Sequence, residues 1–269
     1  RMKTAIFLAM LILSLSTILA CVSPWLPLHP DQVVLQAILD VPGQSYLLGA
    51  DDLGRPVLDR LLVGAKTSFW VAAGVISLSL VSGTLLGCTA AYLGGWWDRV
   101  LVMLLDIFMA FPGILLAIAL AGVLGPGIGN LVIALSLVGW VGFARLARAQ
   151  VLSVKCREHV QAATALGSRT PRIIVRHLLP LIAAPLVVEA TFGVAAVVIA
   201  ESGLSFLGLG VQPPESSWGS MIRDGVRYLL VAPHLVLAPG VALFMVVMSV
   251  NLLGDYLRDL LDVRTLQEL

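Results

Sequence analysis

Charge is what this chain has least of. Only 12% of its 269 residues are Asp, Glu, Lys or Arg, half the roughly 25% usual in a soluble domain. A chain so poor in charge cannot clothe a water-exposed surface, so most of it must lie in lipid or in a protein core within lipid. The charges it has nearly cancel, leaving a formal net charge of +1, and the basic excess that a nucleic-acid partner requires is missing. Cysteine is scarce as well. Cys21, Cys88 and Cys156 show no C-x-x-C spacing, so neither a disulfide framework nor a zinc site is expected. Common catalytic signatures are also lacking: there is no H-E-x-x-H, and Gly203-Leu204-Ser205-Phe206-Leu207 stops one glycine short of G-x-S-x-G. No P-loop exists, because Gly64-Ala65-Lys66-Thr67-Ser68 lacks the spaced glycine. That excludes ATP binding by this route and leaves the chain to borrow whatever energy it uses.

Long apolar runs are what it has instead. Hydrophobic residues make up 59% of the chain, and the mean hydropathy is +0.98. A spanning helix needs about 20 mostly apolar residues, and six stretches qualify: 5–23, 68–94, 100–123, 128–147, 179–207 and 234–257. The fold class expected is therefore an all-α membrane protein with six transmembrane helices. The first run ends in Ile18-Leu19-Ala20-Cys21 and mimics a lipoprotein cleavage box, but further spans follow, which favours a retained first helix. With a cytoplasmic N-terminus, the inner side holds Arg1, Lys3, Arg99, Arg145, Arg148, Lys155, Arg157, Arg169, Arg172, Arg176, Arg258 and Arg264. The outer side holds only Arg55, Arg60, Lys66, Arg223 and Arg227. The positive-inside rule then puts both termini in the cytoplasm.

The most polar stretch, Cys156 to Pro180, lies on that inner side. Glu158 to Leu166 is Ala-rich helix-forming sequence, and Gly167 is a helix stop able to take a left-handed conformation. Thr170 and Pro171 suit the N-cap and first position of a second helix that runs on into the next span. The small Ala162 and Ala163 would let another surface approach closely. Arg169, Arg172 and Arg176 suit anionic lipid or an acidic partner. An ordinary positive-inside loop is the plain alternative.

At these residues the chain resembles the permease subunits of ATP-binding-cassette importers. Their signature reads Glu-Ala-Ala, three residues, Gly, nine residues, Ile-x-Leu-Pro. Here Gln161-Ala162-Ala163, Gly167 and His177-Leu178-Leu179-Pro180 keep that spacing, with Gln161 in the acidic position and His177 in place of Ile. Three further stretches are similar to the dipeptide, oligopeptide and nickel permeases: Leu47 to Ser68, Glu201 to Gly225, and Asn251 to Arg264. Together they point to the second of the two permeases in such importers. The resemblance implies the type I ABC importer permease fold in the bacterial inner membrane. It implies a first helix and external segment over 1–66 and a five-helix permease core over 67–269, with the cytoplasmic coupling segment at 156–180. The implied partners are a second homologous permease, two ATP-binding subunits, an external substrate-binding protein and the lipid bilayer. ATP and Mg would be bound by the partner ATPases and no cofactor by this chain, which would be no enzyme. The implied ATPase-coupling residues are Glu158, Gln161, Ala162, Ala163, Gly167, Arg169, Pro171, Arg172 and Pro180. Di- or oligopeptides are the expected cargo, with nickel or a nickel chelate as the alternative within the family. His29 and His234, isolated on the outer side, make no metal site.

Asp106, Glu189 and Glu201 are the candidates for the path or gate, since ionisable groups within spans are expensive and often functional. Each has a structural alternative. Asp106 lies two turns from Arg99, about 10 Å along the axis, and a contact with a neighbouring helix or the partner permease is the easier role. Glu189, roughly 15 Å into its span, is as well suited to helix–helix hydrogen bonding. Glu201 sits near the outer end, where water is expected to reach it. Pro112 should kink the third span, either shaping the pore or easing packing. Trp218, Arg223 and Arg227 are candidates for binding-protein contact, with Trp218 equally suited to an interfacial anchor. The rival from another class is an ion-coupled secondary transporter resting on Asp106 and Glu189.

Overall fold

Two long helices packed backbone to backbone form the centre. The computed structural model describes residues 2–44 and 46–267, the side chains of 2–5, 24 and 262–267 excepted. Arg1 and the side chains of Lys3 and Arg264, counted in the charge bias, lie outside the described residues. Among those described, ten α-helices follow one another: α1 Met2–Val22, α2 Val57–Leu93, α3 Gly95–Met109, α4 Gly113–Leu124, α5 Ile128–Val154, α6 Glu158–Ala165, α7 Thr170–Ile173, α8 Leu179–Phe206, α9 Trp218–Val226 and α10 His234–Gln267. A π-helical turn, Ile174–Leu178, joins α7 to α8.

Four helical runs are long and apolar enough to cross a membrane: Val57–Leu93, Ile128–Val154, Thr170–Phe206 and His234–Leu261. The apolar part of α1, Ile6–Val22, is shorter. The expected third span is not one straight rod, because α3 and α4 are bent by 86° to each other. Pro112, at ψ 121°, is out of helical conformation, gives no N–H to the preceding turn, and keeps Phe111 from continuing the helix. The kink expected at this proline is a full break. α2 also starts well before its apolar run. Asp59, Arg60 and Lys66 extend it, and Arg60 is buried against the segment that covers its first turns.

Lipid supplies no hydrophobic force between helices, so close contact must come from small residues. Gly83, Gly87 and Ala91 repeat every fourth position on α2 and face Trp140, Phe143, Ala144 and Ala147 of α5. A Cβ on Gly83 would stand 2.5 Å from the Trp140 carbonyl oxygen and 2.7 Å from the Phe143 Cβ. α3 lies across this pair with Leu101 and Leu105; its Phe108 ring meets Trp140 edge-on at 5.5 Å. On the other flank α8, α10 and α1 pack on α2, where Ala20, Val57, Ala65, Trp218, Leu235 and Val246 share one core. Gly83→Val should therefore destabilise the chain by about 1–3 kcal/mol, lowering its aggregation temperature in detergent. Gly122→Val, where nothing lies within 4 Å, should leave that temperature close to the parent's.

Candidate functional site

Two constructions stand at opposite ends of one continuous helical run, Thr170–Phe206. The first is the helix–turn–helix before it. Leaving α5, Lys155 donates from Nζ to the Ala91 carbonyl near the end of α2 at 3.1 Å, and the Tyr92 and Thr164 hydroxyls meet at 3.3 Å. Val160, Ile173 and Ile174 are buried against Cys88, Ala91, Val151 and Val154. The turn itself is closed by two backbone bonds, Gly167 N–H to the Thr164 carbonyl at 3.0 Å and Ser168 N–H to the Ala163 carbonyl at 3.1 Å. These are the paired bonds of a Schellman motif, and they require the left-handed Gly167, at φ +77°.

The opposite face of this module is open. Glu158, Gln161, Ala162, Gly167, Arg169, Pro171, Arg172 and Pro180 are exposed, and Leu166 at the apex is 86% exposed. Two sequence expectations are corrected. Ala163 packs inward, so only Ala162 offers a small residue to an approaching surface. Arg169, not Thr170, occupies the cap position of α7, and no side chain caps it. Pro180 has no N–H for the Arg176 carbonyl; the Leu179 N–H reaches back five residues to Ile174 instead, which is the geometry of a π turn.

The second construction surrounds Glu201. Its side chain is fully buried, so water does not reach it as the sequence suggested. Hydroxyls meet it from several elements: Ser68 of α2 donates to Oε2 at 2.9 Å, Ser205 to Oε1 at 2.8 Å, and Ser202 to Oε2 at 3.4 Å. Nearby, Ser217 caps α9 by accepting from the Ser220 N–H. Ser205 in turn accepts from the Val211 N–H. One carboxylate thus ties α2 to α8 and, through Ser205, to the following loop. Around it, Ser216 donates to the Arg60 carbonyl at 3.0 Å, and Trp218 donates from Nε1 to the Leu61 carbonyl at 3.1 Å.

Trp218 is only 3% exposed, its ring edge-on to Phe69. It is an internal rivet, and neither a docking contact nor an interfacial anchor. Arg223 is half-buried, paired with Asp224 at 3.1 Å and donating to the Ser205 carbonyl at 3.4 Å. Arg227 is exposed. Asp106 is exposed too and shares a surface hollow of about 660 Å³ with Arg99 and Arg148. Glu189 is exposed on the wall of a separate cavity between α5, α8 and α10. These three acidic residues therefore do not form one site.

Sequence reasoning missed the pairs. Arg148 grips Asp98 through Nε at 2.6 Å and Nη2 at 2.8 Å, a bidentate bond that ties the first turn of α3 to α5. Asp51 organises the segment over α2. It accepts from the Leu53 and Arg55 N–H groups and from Arg55 Nε at 2.7 Å, and it lies 3.5 Å from Arg60 Nε. Burial, with Asp51 beside it, pushes the neighbouring Asp52 carboxyl above the ordinary aspartate range. Among the described residues no group of three or more His, Cys, Asp or Glu is placed to hold a metal.

This arrangement is the fold of a type I ABC importer permease. It superposes on the methionine ABC transporter MetNI in an inward-facing conformation, with a TM-score of 0.62 at 18% identity, over 77% of this chain and 98% of that one. A family model described as "Binding-protein-dependent transport system inner membrane component" matches residues 83–267, and the chain belongs to that family. The dipeptide transport system permease protein DppC of Alkalihalophilus pseudofirmus is 41% identical over 224 residues, 83% of this chain and 74% of that protein. Two glutathione transport system permease proteins GsiD are similar to it. That of Escherichia coli O157:H7 is 39% identical over 221 residues and that of Pectobacterium atrosepticum 40% over 223, each match covering 82% of this chain and 73% of the relative. The protein is a multi-pass permease of the bacterial inner membrane, as the motif resemblance implied.

The serine cage sets a graded test. Glu201→Ala strands at least three buried hydroxyls and should cost about 3 kcal/mol or more, while Glu201→Gln, which keeps one acceptor oxygen, should cost about 1–2 kcal/mol. Detergent aggregation temperatures should fall in that order. A parent-like Glu201→Ala protein would show that the cage does not hold the helices.

Proposed function

We propose that this chain is the second permease of a di- or oligopeptide importer, forming the translocation path with a homologous permease and moved by two separate ATPase subunits. The single observation that carries the mechanical part is the exposed turn at Leu166–Gly167, set on a module that is bolted to α2 and α5 and continuous with α8. Such a module transmits displacement, whereas a loose loop would absorb it. The cargo class follows the names of the relatives near 40% identity, which are dipeptide and glutathione permeases.

In this reading six helical spans, α3 and α4 counting as one broken span, leave both termini and the 156–180 module in the cytoplasm, in line with the bias of Lys and Arg. An ATPase groove receives Gln161, Ala162, Leu166 and Gly167, with Glu158, Arg169, Pro171 and Arg172 at its rim; Pro180 marks the exit into α8. Gln161 supplies a hydrogen bond where an acidic side chain would supply a charge. ATP and Mg sit on the partner subunits, and this chain carries out no chemistry of its own. An external binding protein delivers cargo to the α9 end, where Arg227 is the open basic residue and Arg223 a half-covered one. Closure of the ATPases rocks α8 as a rod, and the Glu201 cage passes the motion to α2 and α9.

Gly167→Val tests the coupling. Nothing lies within 4 Å of a Cβ at Gly167, so the substitution acts only through the left-handed backbone, at roughly 1–2 kcal/mol. Reconstituted with its partners, the variant should insert and still support ATP hydrolysis, while uptake falls about tenfold, the rate equivalent of 1.4 kcal/mol. Parent-level uptake would remove the coupling role.

A further inference from the structure

Two carboxylates lie within the run Thr170–Phe206, and they are treated in opposite ways. Glu201 is enclosed by hydroxyls. Glu189 is exposed, and among the described residues it has no ion pair and no hydrogen bond. A carboxylate at that depth is expensive unless it meets water or a cation. It stands on the wall of a cavity of about 630 Å³ between α5, α8 and α10, a volume in the range of small-molecule pockets.

The wall is rich in acceptors on one side. Leu181, Pro185 and Glu189 recur every fourth residue on α8 and all line the cavity. Pro185 has no N–H to give the Leu181 carbonyl, so that carbonyl has lost its helical donor. Phe192, three residues beyond Glu189, lines the cavity too, and an aromatic face also attracts cations. Opposite, α5 presents a glycine to the carboxylate: a Cβ on Gly142 would lie 3.4 Å from Glu189 Oε1. Gln150 of α5 and Arg157, at the cap of α6, border the same space, so it offers one negative group and, elsewhere on its rim, a positive one. A zwitterion with a primary ammonium at one end matches that distribution.

We propose that Glu189 is a specificity-determining residue of the path, receiving the α-ammonium of a peptide in transit, with the Leu181 carbonyl and the Phe192 ring on the same stripe. The assignment rests on the peptide-importer reading above. One carboxylate in an open cavity makes a contact firm enough to orient the cargo and weak enough to release it. A packing contact with the second permease would instead treat all cargoes alike.

The test uses the whole importer in proteoliposomes, with the binding protein saturated by either of two cargoes: a dipeptide, or its des-amino analogue lacking the α-ammonium. Glu189→Gln should lower dipeptide uptake about tenfold, the usual scale for a lost hydrogen bond to a charged group, and change uptake of the analogue less than about twofold. Glu189→Asp should keep most of the parent's preference for the dipeptide. Equal loss on both cargoes, or no loss on either, overturns the assignment. A parent importer that carries neither cargo overturns the peptide reading itself, a different failure that the parent control alone reveals.

Discussion

A carboxyl group buried in a helix that crosses lipid has to find hydrogen-bond partners, and at Glu201 hydroxyls of α2 and α8 supply them. The carboxylate is fully enclosed, so each of its hydrogen bonds is a constraint that water cannot replace. Ser68 fixes α2 to α8, and Ser205 fixes the loop that follows α8. Bonds from Ser216 and Trp218 to the Arg60 and Leu61 carbonyls then add α9 to α2 directly. Loosening the carboxylate would release these contacts together, since they share one acceptor and its neighbours.

The same helical run reaches the opposite end of the molecule, where the constraint is different in kind. There, apolar side chains of α6, α7 and the π turn seat the module on Cys88, Ala91, Val151 and Val154, and the Gly167 turn is left outside. Packing of this sort tolerates small shifts, whereas a short hydrogen-bonded cage does not. A helix anchored rigidly at one end and seated by packing at the other is suited to pivot about the anchored end. The Asp98–Arg148 clasp ties the first turn of α3 to α5, away from that end.

How much of this could be read from the sequence depended on the range of the interaction. Gly167 was legible because a glycine after an Ala-rich stretch announces its own conformation, and φ +77° agrees with it. Pro112 was legible as a disturbance, but its size was not. Hydropathy measures composition and cannot tell a kink from an 86° break. The first turns of α2 escaped notice because Asp59, Arg60 and Lys66 interrupt the apolar run, although Arg60 is buried against Asp51. Glu201 looked water-accessible because its donor Ser68 is 133 residues away. Trp218 looked like a surface anchor because its partner Leu61 is 157 residues away. Serines in apolar helices give no local sign of which carboxylate they will meet.

The most direct test of the account is whether the run from the π turn to the Glu201 cage moves as one body. Spin labels at Val175 and Leu207, both exposed, should lie about 48 Å apart at 1.5 Å per residue. Pulsed dipolar spectroscopy on the assembled importer should give the same narrow distance with and without ATP. A shift of more than about 5 Å, or a second distance on adding nucleotide, would mean that the run bends between its ends, for instance at Pro185, and that it does not act as a lever.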